Sequence, residues 1–147
     1  MRIRAVYPLA RADFLERVRF RNLLSELSGQ RIVILSTHIV SDVEAVATSI
    51  ALIDRGELVV HGAPESLLQS VSGRVWEMVV PSAELSGVRE RYRVSSTAHR
   101  SDGVHTRIVA EHAPGAAARP LEPSLEDAYL SALAAHRGQA PPFGGTA

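Results

Sequence analysis

The sequence predicts an α/β fold followed by a small α+β unit, and two patterns support this prediction. In the first half, the stretches 31–37 and 49–54, whose centres 32–35 and 50–53 are continuously apolar, alternate with helical patterns. Such stretches are typical of strands buried on both faces of a parallel sheet. In the second half, apolar and polar residues alternate on either side of an Asp102-Gly103 turn signal, which is typical of an antiparallel hairpin.

The first predicted element is a helix over residues 13–28. Asp13 can cap its amino end, because a carboxylate there accepts a hydrogen bond from a backbone N–H of the first turn. Gly29 can end the helix in a left-handed conformation. Its apolar stripe consists of Phe20, Leu23, Leu24 and Leu27. The stretch 31–37 then predicts a strand buried on both faces.

Residues 41–73 predict a helix, a hairpin and a second helix. Ser41 and Glu44 have the spacing of a capping box, which marks a helix start. Pro64 suits the first position of the second helix, where no backbone N–H is needed. In order, the predicted elements are a helix over 41–47, strands over 49–54 and 57–61 around an Arg55-Gly56 turn, and a helix over 64–71 that Gly73 closes.

The second half predicts a β-α-β-β-α unit. Ser124 is placed to cap its last helix. In order, the predicted elements are a strand over 75–80, a helix over 82–90, strands over 92–98 and 104–110, a loop over 113–123 and a helix over 125–136. The remaining residues, 137–147, are rich in Gly and Pro and predict a frayed tail.

The composition excludes several kinds of chemistry. All sixteen cationic residues counted as Lys or Arg are arginines, and there is no cysteine. Without lysine the chain has no Schiff-base lysine and no phosphate-binding P-loop lysine. Without cysteine it has no disulfide, thiol nucleophile or thiolate-ligated zinc. Sixteen acidic residues balance the arginines, and the net charge of zero argues against a dedicated nucleic-acid-binding protein.

No stretch of the sequence approaches the roughly 20 apolar residues that a membrane-spanning helix needs. The apolar stretch at the amino end stops at Arg11, too early for a signal peptide. We therefore expect a protein that is soluble by itself and reaches a membrane only through a partner.

His38 is the candidate functional residue among the six histidines. It follows the predicted strand 31–37, and open α/β sheets place ligand-binding groups at the carboxyl ends of their strands. A structural histidine at a strand end is the alternative. No two histidines have the i, i+4 spacing of a helical metal site, so the sequence predicts no metal centre.

Five segments follow one another in an order that resembles a known family. They are Arg-Ile-Val-Ile-Leu-Ser-Thr-His at 31–38, Asp-Val-Glu at 42–44, Ile-Ala-Leu-Ile-Asp-Arg-Gly-Glu-Leu-Val at 50–59, Gly-Ala-Pro-Glu-Ser-Leu-Leu at 62–68 and Pro-Ser-Leu-Glu-Asp-Ala-Tyr-Leu at 123–130. This succession resembles the carboxyl-terminal part of an ABC transporter ATP-binding subunit, from the subfamily that serves ABC-2-type permeases. The resemblance covers roughly residues 13–135.

The resemblance implies a fold class and a division into domains. Residues 1–73 are then the carboxyl-terminal remnant of a P-loop NTPase sheet, residues 74–136 a small α+β accessory domain of ferredoxin-like type, and residues 137–147 a flexible tail. His38 matches the family's switch-loop histidine, which contacts the γ-phosphate of ATP. Asp13 matches the D-loop aspartate, which lies at the interface of two ATP-binding subunits.

The amino-terminal residues depart from the family. Val6 and Tyr7 stand where the family has the Asp that holds magnesium and the Glu that orients water, and neither can replace a carboxylate. Residues 1–12 are therefore a degenerate start of the domain or unrelated sequence. The resemblance implies ATP and Mg²⁺ as cofactors of the family, but we expect neither to bind to this chain alone, and we expect no ATP hydrolysis.

The resemblance also implies partners and a location. The partners are an ABC-2-type membrane permease and a second ATP-binding subunit, with no nucleic acid, and the location is cytoplasmic, at the inner face of the cell membrane. Three interpretations stay open: a truncated or degenerate ATP-binding subunit, a non-enzymatic accessory protein of an ABC-2-type complex, and a ferredoxin-like small-molecule sensor in residues 74–136. The transported substrate cannot be read from this chain, because the permease selects it.

Overall fold

The computed structural model describes residues 18–19, 22–23, 32–44 and 46–138, and their fold is mixed α/β. Its elements are α1 (Val40–Glu44), β1 (Ile50–Asp54), β2 (Glu57–Gly62), α2 (Pro64–Gln69), β3 (Val75–Val80), a 3₁₀ turn (Ser82–Glu84), α3 (Leu85–Arg91), β4 (Arg93–Arg100), β5 (Gly103–Val109), β6 (Arg119–Pro120) and α4 (Leu125–His136). Residues 18, 19, 22 and 23 are helical, in agreement with the predicted first helix. The rest of that helix and the predicted cap Asp13 lie outside the described residues.

The strand predicted over 31–37 is wrong for the residues described. Residues 32–37 belong to no helix or strand. The side chains expected to be buried are open to solvent: Ile32 is 69% exposed and Ile34 is 57% exposed. A strand needs a neighbour to pair its backbone N–H and C=O groups, and no described strand pairs with this segment. All strand pairs in the described residues are antiparallel, so these residues contain no parallel sheet.

The predicted hairpin of β1 and β2 is confirmed. The two strands pair antiparallel around a turn in which Arg55 and Gly56 both have positive φ, 52° and 85°. These angles are typical of the tight turns whose twist matches that of the flanking strands. The hairpin packs Ile50 and Val60 against the core, whereas Ile53 and its register partner Leu58 are exposed on the outer side.

The second half forms a four-stranded antiparallel sheet with the order β4-β5-β3-β6. The strands predicted at 75–80, 92–98 and 104–110 are confirmed, as is the Asp102-Gly103 turn between the last two. The two-residue strand β6 lies within the predicted loop 113–123 and pairs with β3. The helices predicted at 64–71, 82–90 and 125–136 are also present.

Two helices cover opposite faces of this sheet. Side chains alternate between the faces along a strand, so Val75 and Val80 of β3 point to opposite sides. Val80 packs in a cluster with Val88 of α3, whereas Val75 packs with Leu125 of α4. The unit thus differs from the predicted ferredoxin-like arrangement, in which both helices cover the same face. On β3 and on β5, the buried residues of one cluster lie an odd number of positions from those of the other. The two sets therefore point to opposite faces of the sheet, and each face is covered by a different helix.

One core joins the hairpin to the sheet. It contains Leu67 and Val71, which follow the hairpin, together with Val75, Val109, Leu125 and Ala128 from the sheet and α4. Arg137 at the end of α4 also bonds to Asp54 of β1, with nitrogen–oxygen distances of 2.8 and 2.7 Å. Residues on both sides of position 73 therefore share one apolar interior, while the predicted domain boundary there stays a prediction.

Candidate functional site

His38 lies in the segment 32–39, which precedes α1, and its side chain is exposed. Its local structure is a bend, after which the Ile39 N–H donates a hydrogen bond to Thr37 Oγ1 at 3.0 Å. Asp13, the other predicted site residue, lies outside the described residues, so its place relative to His38 stays a prediction. Among residues 32–44 and 46–138, no set of three or more His, Asp or Glu side chains is arranged to hold a metal ion.

The structure instead brings a different histidine, His105, between two carboxylates. Its Nδ1 lies 2.9 Å from Glu77 Oε1, and its Nε2 lies 3.0 Å from Asp102 Oδ1. The His105 side chain is 13% exposed, and Arg107 and Arg100 lie near it on β5 and β4. Hydrogen bonding to Glu77 and then to Asp102 raises the pKa of His105, and bonding to His105 lowers the pKa of Asp102.

The local sequence explains how this cluster forms. The Asp102-Gly103 turn reverses the chain between β4 and β5. It places the Asp102 carboxylate beside the ring of His105, three residues later. The pairing of β3 with β5 brings in Glu77, whose register partner Arg107 is two residues from His105, so Glu77 and His105 lie on the same face of the sheet. Because both ring nitrogens are engaged by carboxylates, neither is free to take a proton from a substrate. The arrangement therefore suits a stabilising imidazolium better than a catalytic base.

A second polar cluster surrounds Asp127, which is fully buried. Its carboxylate accepts hydrogen bonds from Arg107 Nε at 2.8 and 3.0 Å and from the Ser124 backbone N–H at 2.8 Å. The hydroxyl of Ser95 on β4 donates to it as well. Arg107 Nη2 also donates to the Glu122 carbonyl oxygen. The cluster joins α4 to the sheet, and both carboxylate oxygens of Asp127 already accept hydrogen bonds within it.

The sequence patterns predict neither cluster. The i, i+3 spacing of Asp102 and His105 across a predicted turn was a usable local signal for one ion pair. Glu77 lies 28 residues from His105 and Asp127 lies 20 residues from Arg107, so those contacts depend on strand register and on the docking of α4. Local spacing carries no information on either.

No protein-family model matches the sequence, and no curated protein matches it. Within the described part of the chain, every helix is too short or too polar to cross a membrane.

Proposed function

We propose that the chain is the carboxyl-terminal part of an ATP-binding subunit of an ABC-2-type exporter, in a degenerate form that does not hydrolyse ATP by itself. The observation that carries the proposal is the ordered succession of five family-like segments between residues 31 and 130. Its partners are an ABC-2-type permease and a second ATP-binding subunit, and it works in the cytoplasm at the inner face of the membrane.

Several described features support this proposal. The segment 50–59, which resembles the family's strand, turn and strand, lies within the hairpin of β1 and β2. The segment that begins at Gly62 places Pro64 at the first position of α2. The segment 123–130 carries Ser124 and Asp127, which form a capping box at the start of α4. Each of these three segments thus has a local structure that its residue types favour, whereas the described residues of segment 31–38 do not form the strand that the family has there.

The residues of this chain do not fit Mg²⁺-ATP by themselves. The sequence contains no lysine, Val6 and Tyr7 replace the two carboxylates, and the described residues hold no carboxylate cluster for a cation. His38 is exposed and can donate one hydrogen bond to a phosphate, worth about 1.5–3 kcal/mol when charge-assisted. That free energy corresponds to a dissociation constant weaker than about 1 mM.

Calorimetric titration with Mg²⁺-ATP tests this absence of binding directly. We expect no measurable heat of binding and no phosphate release from the isolated chain. Micromolar binding would contradict the proposal, because one histidine cannot supply the roughly 8 kcal/mol that such an affinity needs.

Complementation tests the role of His38. The chain is mixed with the amino-terminal part of an ABC-2-type ATP-binding subunit that carries the P-loop, signature loop and intact Walker B acids. We expect phosphate release to appear, and His38→Ala to lower its rate by about 10²-fold, as for the loss of one donor to a developing charge. The matched control is His112→Ala, since His112 is also an exposed histidine outside every helix and strand. Equal effects of the two substitutions would contradict the assignment.

A second candidate function is that of a non-enzymatic accessory protein of an ABC-2-type complex. The exposed pair Ile53 and Leu58 on the outer side of the hairpin favours it, because adjacent exposed apolar side chains are typical of a contact surface. Translating the DNA upstream of this coding region distinguishes the candidates. A P-loop followed by a signature loop supports the ATP-binding subunit, and an unrelated gene supports the accessory protein.

A further inference from the structure

The two edges of the four-stranded sheet are unequal. One edge is β6, which is two residues long and contains Pro120, a residue with no backbone N–H to donate. The other edge is β4, which has eight residues without proline and pairs only with β5 among the described strands. Its one irregularity is a register shift between Val94 and Ser96, so residues 97–100 are regular. Short length and proline protect the first edge but not the second.

The β4 edge is also basic, although the whole chain is neutral. Residues 89–100 contain four arginines and one acidic residue, Glu90. Arg89 of α3 lies beside the strand, with its Nη2 3.5 Å from Thr97 Oγ1, and Arg100 is exposed at the end of the strand. The acidic residue after the strand, Asp102, is bonded to His105, whose imidazole nitrogen lies 3.0 Å away. The charge beside this open edge is therefore positive.

The arginines flank both faces of the strand. Thr97 and Arg100 lie an odd number of residues apart in the regular part of β4, so their side chains point to opposite faces. Arg89 reaches the Thr97 face, and Arg100 lies on the other. A strand added beside β4 would meet one arginine on each face.

We propose that β4 binds an extended acidic segment of a partner protein, which adds to the sheet as a further strand. Backbone hydrogen bonds to the open edge supply the affinity, and carboxylates that meet Arg89 and Arg100 supply the selectivity. The preferred segment has two acidic residues an odd number of positions apart, because they then point to opposite faces. This function does not involve nucleotide and is independent of the proposed ATPase ancestry.

A second copy of the chain is a poorer occupant of the same edge. Antiparallel pairing of two full-length β4 strands sets Arg93 opposite Arg100 at both ends. Like charges directly opposite one another destabilise a strand pair. An acidic partner segment replaces this repulsion by attraction.

The binding test uses a fluorescently labelled peptide, Thr-Val-Glu-Val-Thr-Glu-Val-Thr, and measures fluorescence anisotropy and amide hydrogen exchange. We expect binding that slows exchange in residues 97–100, and that is lost when alternate peptide nitrogens are methylated, since these can no longer donate to the edge. The double substitution Arg89→Gln/Arg100→Gln should weaken binding about fivefold, as expected for two exposed ion pairs. The matched control is Arg119→Gln on the β6 edge, which should leave the affinity unchanged.

Three results would overturn the proposal. The first is equal binding of the N-methylated peptide, which would mean charge attraction without strand addition. The second is equal loss of affinity in Arg119→Gln and in the double variant, which would mean that the β4 arginines do not select the segment. The third is displacement of the peptide by a single-stranded oligonucleotide of equal charge, which would make the edge a site for any polyanion. Circular dichroism confirms that each variant is folded.

Discussion

At the scale of single residues, the buried carboxylate of Asp127 makes two kinds of interaction, one within its own helix and one with the sheet. It completes the capping box of α4 with Ser124, and it pairs with Arg107 from the middle of the sheet. A cap is a local interaction within one helix, whereas the ion pair fixes where that helix lies on the sheet. A buried charge is tolerated when it is paired and hydrogen-bonded, as this one is.

We expect Asp127→Ala to destabilise the protein by about 3–5 kcal/mol, because it leaves the charge of Arg107 without its carboxylate partner in a partly buried position. Urea unfolding followed by circular dichroism measures this change. Glu126→Ala is the matched control: Glu126 is the preceding, exposed position of the same helix, and the change should stay within about 0.5 kcal/mol. Similar losses in the two variants would contradict the role given to Asp127.

The His105 cluster makes stability depend on pH in a defined direction. Glu77 and Asp102 raise the pKa of His105 in the folded protein, so the folded state binds the proton more tightly than the unfolded chain does. The stabilisation is complete below the unfolded pKa of about 6.5 and is lost as the pH rises through the higher folded pKa. Urea unfolding between about pH 5.5 and pH 8.5 should show the advantage of the wild type over His105→Gln shrinking as the pH rises. An advantage that grows over this range would contradict the assignment.

At the scale of elements, the tight turns tolerate the fewest residue types. Gly103 opens β5 with a φ of 139°, and a Cβ built on it lies 3.0 Å from the Val80 carbonyl oxygen. The backbone of β3 cannot move away from it without disturbing the β3–β5 ladder. Gly87 in α3 is different, since a Cβ there meets nothing within 4 Å.

These two glycines give opposite predictions for the same substitution. Gly103→Ala should destabilise the protein by about 1–3 kcal/mol, through a strained backbone and the contact with β3. Gly87→Ala should stabilise it by about 0.5–1 kcal/mol, because alanine loses less backbone freedom than glycine in a helix. Thermal unfolding of both variants provides the measurement, and changes of the same sign would contradict this account.

At the scale of the whole molecule, apolar residues are divided between a shared interior and an exposed set. Leu125 is 1% exposed and lies in the core that joins the hairpin, α2 and the sheet. Ile32 and Ile34 are as apolar as core residues but lie in solvent, and so do Ile53 and Leu58. The described residues thus bury two apolar clusters, one on each face of the four-stranded sheet, and leave other apolar surface uncovered.

This division predicts that two kinds of substitution have separate effects. Ile32→Ser/Ile34→Ser should change the free energy of unfolding by less than about 0.5 kcal/mol per residue while reducing self-association at high protein concentration. Leu125→Ala should cost about 2–5 kcal/mol, because it removes packed atoms and leaves a cavity. Urea unfolding and sedimentation velocity measure the two effects. A loss of stability in the isoleucine variant equal to that of Leu125→Ala would show that residues 32–34 are packed.

The sequence by itself determined those elements whose cause is local. The positive-φ turn at Arg55-Gly56, the Asp102-Gly103 hairpin, Pro64 at a helix start and Ser124 at a helix cap depend on the conformations of a few neighbouring residues. The tertiary structure alone decided the rest. The apolar residues 32–35 predict a buried strand, but residues 32–37 have no pairing neighbour among the described strands and belong to no strand. Strand register brings His105 to Glu77. The buried residues of β3 and β5 point alternately to both faces of the sheet, so α3 and α4 cover opposite faces. Both features depend on contacts between residues far apart in the chain, which local sequence does not specify.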